Sequence, residues 1–148
     1  MDGCSVPSWW LSISQCATAY ARLSSPGFPD EDEKPAIDRM FDAYHKASWY
    51  TAGTDRLGTS LNAVGNGKWL GKIGGEGIFG VGFRDEGIGV IVKVESGESR
   101  AIPPALLLVM KTWGLIDNSQ LKSLSDWIEV ARPNAAKKTI GSIRVANK

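Results

Sequence analysis

Six glycines fall between Lys68 and Phe83, in the run Lys-Trp-Leu-Gly-Lys-Ile-Gly-Gly-Glu-Gly-Ile-Phe-Gly-Val-Gly-Phe. Glycine inside a strand packs nothing, so such a cluster marks places where the backbone must lie close to another backbone or to a ligand. The run reads as the wall of a site, with Lys72 set in it. Beside a pocket, desolvation or a second cation would free the Lys72 amine to take a proton from a hydroxyl. The competing reading is an ordinary solvated strand lysine, with the glycines serving bulges and turns.

The rest of the composition sets bounds on partners. A chain of 148 residues with 43% hydrophobic and 22% charged side chains suits a globular domain able to bury one core. A formal net charge of +1 gives no basis for a nucleic-acid or anionic-membrane partner, which would need a clustered basic excess. The longest apolar stretch, around Ala105 to Met110, is too short for a membrane span. No secretory leader is legible, so the expected compartment is the cytoplasm, where Cys4 and Cys16 stay reduced.

Periodicity predicts an α+β chain. Leu11 to Leu23 carries apolar residues at helical spacing, and Pro35 opens a second helix with Ile37, Met40, Phe41 and Tyr44 on one stripe. Thr54 is expected to cap a third helix that Gly65-Asn66-Gly67 ends. Strands follow over Trp69 to Ile73, Gly77 to Phe83 and Ile88 to Val94, the last two joined by a tight turn through Arg84-Asp85-Glu86-Gly87. Pro103 and Pro104 open a buried helix over Ala105 to Trp113. Ser119 is expected to cap another, with Leu121, Leu124, Ile128 and Ala131 on one face, and Thr139 to Val145 alternates like a closing strand. An antiparallel sheet flanked by helices, in a single domain over residues 1–148, is the expectation.

Several residue groups could carry chemistry. Asp2 and Cys4 pair a carboxylate with a thiol, a combination able to contribute a zinc ligand and a neighbour that orients it, although zinc needs four ligands and residue type alone favours a buried inert cysteine. Cys16 reads as core. His45, the only histidine, reads as structural at a helix end, which removes a Ser/His/Asp triad and the histidine-rich zinc motifs. Ser119 and Lys122 spell Ser-x-x-Lys, but their place at a peripheral helix start favours capping over acyl transfer. Gly53-Thr54-Asp55-Arg56 sets a guanidinium at a helix start, where an anion could bind, or where a surface helix is simply capped.

Taken in order, Asp2-Gly3-Cys4-Ser5-Val6-Pro7, Ala52-Gly53-Thr54-Asp55-Arg56, Gly71-Lys72 through Gly82, and Gly87-Ile88-Gly89-Val90-Ile91-Val92-Lys93 resemble the rhizobial-type L-asparaginases, the asparaginase II family. Ala131-Arg132-Pro133 and Gly141-Ser142-Ile143-Arg144 are similar to that family's ending. The resemblance implies a fold like the serine β-lactamases and penicillin-binding proteins, of which this chain would be the C-terminal part. It also implies serine/lysine hydrolysis of the L-asparagine side-chain amide to L-aspartate and ammonia. By the same resemblance Lys72 is the lysine that partners a catalytic serine. Cys4 is one of two cysteine ligands of a zinc ion, with Asp2 as the acidic residue beside it, and Gly53, Thr54, Arg56 and Glu76 line the substrate pocket.

Family members carry their Ser-x-x-Lys nucleophile, a second serine and a Cys-Ser-Gly-Lys-His segment ahead of the Asp-Gly-Cys motif, which here follows directly on Met1. The expectation is therefore the C-terminal half of the enzyme, with an incomplete zinc site, no other cofactor, and activity only when an N-terminal half is supplied. The full-length family implies a homo-oligomer. The alternative is a non-catalytic remnant, a small-molecule-binding module without its nucleophile.

Overall fold

The computed structural model describes residues 5–23, 25, 30–84 and 86–146. The expected α+β class is what forms. Helix α1 (Ile13–Leu23) and helix α2 (Lys34–Lys46, with Pro35 in its first turn) are followed by the short α3 (Trp49–Ala52) and by α4 (Leu57–Gly65). Strands β1 (Trp69–Ile73), β2 (Ile78–Phe83) and β3 (Ile88–Lys93) then make an antiparallel sheet in chain order. Helix α5 (Ile102–Thr112) begins on Pro103 and Pro104, whose missing N–H groups cost nothing in a first turn. Helices α6 (Asn118–Ser123) and α7 (Ser125–Ile128) lead to strands β4 (Val130–Pro133) and β5 (Thr139–Ile143), which pair with each other alone.

The register explains where the core sits. Trp69 pairs with Phe83, Gly71 with Val81 and Ile73 with Phe79, and Phe79 and Val81 pair onward with Val92 and Val90, so one face of the sheet carries the large apolar residues. They bury against Leu61 of α4 and against Leu106, Leu107 and Met110 of α5. Gly65 lets the Trp69 indole lie on α4, since a Cβ there would come within 2.6 Å of it, and the indole N–H donates to the Leu61 carbonyl at 3.0 Å.

The opposite face holds Leu70, Lys72, Gly80, Gly82 and Gly89, and there the glycines admit α1. A Cβ on Gly89 would stand 2.0 Å from the Ala17 carbonyl oxygen, and one on Gly80 2.5 Å from the Tyr20 ring. At these two positions the close neighbour is helix, a different use of glycine from the ligand-lined wall that the sequence suggests.

At the centre of edge strand β1, Asn62 completes the ladder. Its amide accepts from the Gly71 N–H at 2.7 Å and donates to the Gly71 carbonyl at 2.9 Å, taking the two groups that face away from β2. Asn62 is fully buried, and it also donates to Thr51 Oγ1 at 3.1 Å.

Four sequence expectations need correction. Thr54 does not cap α4: Arg56 occupies the cap position, and Thr54 Oγ1 instead accepts the Trp49 indole N–H at 2.9 Å. Asp117, not Ser119, caps α6. It forms a reciprocal box with Gln120, and Ser119 Oγ donates to Asp117 Oδ1 at 2.7 Å. The helix expected to run to Ala131 breaks at Leu124 and ends at Ile128, and Ala131 lies in β4. Cys16 is half-buried, and α1 has no fully buried residue.

Candidate active site

Lys72 projects from edge strand β1 on the face that carries α1. It is exposed, and its Nζ donates to the Ile73 carbonyl at 2.9 Å. Across the ladder its partner is Gly80, over which the Tyr20 ring lies. Burial pushes the Tyr20 phenol up, and Tyr44 and Cys16 nearby push the same way. The face beside Lys72 thus offers an amine in solvent next to an aromatic ring held neutral.

On the other face, Ile73 and Phe79 line a cavity of about 270 Å³. Asp55, Arg56 and the first residues of α4 also line it, together with Ser99, Arg100 and Trp127. Arg56 is exposed here, while Glu98 holds Arg100 through its Nε at 2.6 Å. The structure therefore brings Arg56 to a concavity with Ile73, and sets Lys72, one residue earlier on β1, on the opposite side of the sheet.

The remaining expected pocket residues have local partners. Gly53 ends α3 with a positive φ of 90°, and its carbonyl accepts from Thr59 Oγ1 at 2.6 Å. Glu76, at the β1–β2 turn, also has a positive φ, and its carboxylate lies where a side chain on Gly97 would start. Ser99, Arg100 and Trp127 reach the cavity from elements far along the chain, and no local pattern in the sequence links them to Arg56.

Asp2 and Cys4 lie outside the described residues. Among those described, no three of His, Cys, Asp and Glu gather closely enough to hold a metal ion. His45 buries its Nδ1, which has no hydrogen-bond partner among the described residues. The described donors do not make the zinc site that the resemblance implies. Among the described residues no helix is long and apolar enough to cross a membrane.

The model of the family described as L-asparaginase II matches residues 1–145, and no curated protein matches the chain.

Proposed function

From the premise that the chain belongs to the L-asparaginase II family, we propose that it supplies the base lysine, Lys72, of an amidohydrolase that converts L-asparagine and water to L-aspartate and ammonia. The observation that carries this reading is the matched family segment, in which Lys72 stands on an edge strand with its amine donating to a main-chain carbonyl. Among the described residues no carboxylate pairs with that amine.

The chemistry asks for more than the lysine. An amine acts as base only where desolvation or a neighbouring cation disfavours its charged form, and it needs a hydroxyl within hydrogen-bond reach. Lys72 is exposed, so a segment bearing the nucleophilic serine has to close over it. Ser119 is not that serine, because it is committed to the Asp117 cap. With the hydroxyl in place, its proton passes to Lys72 Nζ as the oxygen attacks the side-chain amide carbon. Return of the proton to the leaving nitrogen releases ammonia, and water then cleaves the ester to give aspartate. Gly53, Thr54, Arg56 and Glu76 are proposed as contributors to substrate binding, with Arg56 the one that reaches an open cavity.

The test is ammonia release from L-asparagine by the chain alone and by the chain mixed with a polypeptide carrying the Ser-x-x-Lys and Cys-Ser-Gly-Lys segments. Turnover that needs the mixture and falls at least about a hundredfold in Lys72→Ala supports the proposal. Turnover unaffected by Lys72→Ala, or none from a folded mixture, overturns it, and binding of asparagine without turnover would favour the non-catalytic module. The zinc expectation rests on Cys4 and Asp2, and metal content of the chain against Cys4→Ser checks it.

A further inference from the structure

One side of α5 runs from the core out to solvent. Pro104, Leu107, Leu108 and Lys111 follow each other at helical spacing, the first two buried, Leu108 45% exposed and Lys111 exposed. Together with Leu121 of α6, Ile128 of α7 and Val145 beyond β5 they line a groove of about 290 Å³. Ile128 is itself 41% exposed, so the groove keeps apolar surface in contact with water. It shares no residue with the cavity at the start of α4.

The charges that line this groove do not balance. Lys111 and Arg144 are both exposed in it, and among the described residues neither side chain makes an ion pair or a hydrogen bond. The one carboxylate, Glu129, already accepts from the Ser142 hydroxyl. Two cations against one carboxylate leave a single positive charge in excess. A bare inorganic anion would answer that charge and leave the leucines wet, whereas a neutral apolar molecule would cover the leucines and leave the cations unused. The volume suits one small ligand.

We propose that this groove binds a medium-chain monocarboxylate. The ligand carboxylate accepts from the Arg144 fork and from Lys111 Nζ, and its alkyl chain lies along Leu107, Leu108 and Ile128. One anionic head neutralises the excess charge, whereas a dicarboxylate would set its second charge against apolar side chains. The groove uses none of the residues proposed for asparagine turnover, so it stands or falls independently of that activity.

The full chain is titrated with octanoate while the Ile128 δ-methyl is followed by NMR, the signal being assigned by its loss in Ile128→Val. A saturable shift is expected, weakened at least about tenfold in both Arg144→Gln and Lys111→Gln, with an otherwise unchanged spectrum separating lost binding from lost folding. Glu129→Gln keeps an acceptor for the Ser142 hydroxyl and removes the competing charge, so it should tighten binding at least about threefold. Hexanoate, two methylenes shorter, should bind at least about fivefold more weakly than octanoate. Octylamine, the same chain with the opposite charge, should bind at least about tenfold more weakly. No saturation by about 10 mM octanoate, survival of binding in both cation variants, or octylamine binding as tightly as octanoate overturns the proposal. A dimer in sedimentation that Leu108→Glu turns monomeric would assign the groove to a second copy and overturn it too.

Discussion

Asn62 does the work of a strand that is not there. Its amide presents an acceptor and a donor to Gly71 in the spacing that a neighbouring backbone would use, and it does so fully buried. Asn62→Ala strands a buried N–H and C=O together, and urea unfolding should show a loss of about 2–4 kcal/mol. At Asp117, the Gln120 N–H and then the Ser119 hydroxyl hold the carboxyl below the usual carboxylate range. Asp117→Ala should lower the melting temperature, whereas Ser119→Ala should leave it nearly unchanged if Asp117 is the cap. The sequence names Ser119 because a serine before an apolar helical run is a strong capping signal. Asp117, two residues earlier, has the same capacity and also the Gln120 that completes the box.

At the level of elements, α1 is held by absence. It contributes no fully buried side chain, and its seat is the pair of glycines beneath Ala17, Tyr20 and Ala21. In Gly89→Ala the new methyl group meets backbone atoms, which cannot swing aside. The helix must lift, at about 1–3 kcal/mol, with hydrogen exchange speeding first in α1. Gly141 is the control: a Cβ there meets nothing within 4 Å, so Gly141→Ala should change stability by less than about 1 kcal/mol.

Strands β1 to β3 and helices α1, α2, α4 and α5 were legible because alternation, periodicity and proline at a helix start are local signals. The break at Leu124 was not, since Leu121, Leu124 and Ile128 keep helical spacing straight through it. Strand β5 forms within the expected Thr139 to Val145 segment, but its partner β4 escaped for a related reason. Strand β4 is mostly exposed, so Ala131 and Arg132 carry no alternation that distinguishes strand from helix.

Over the whole molecule, Arg84 ties the end of the sheet to α2. It pairs with Asp38, approaches Asp42 at 3.7 Å, and lies 5.3 Å over the Phe41 ring. Lys34 and then Arg84 hold the Asp38 carboxyl below its ordinary range, and Lys46 does the same for Asp42. A carboxyl depressed by folding adds stability that is fully present above its unfolded value of about 3.9 and is lost as pH falls through the lower folded value. The melting temperature, as far as these groups set it, should therefore change little with pH near neutrality and fall below about pH 4, with the acid limb flattened in Asp38→Asn.

The candidate site divides along the same lines. Lys72 and Arg56 were both legible as residues of interest, but their separation onto two faces was not, because facing depends on the strand's alternation relative to a core that only the assembled helices define. One consequence follows for any polypeptide that would dock over Lys72. With Asn62 already occupying the Gly71 backbone groups, an incoming polypeptide cannot zip onto the middle of that border as an added strand. It must descend from above, side chain first, onto the surface that α1 shares.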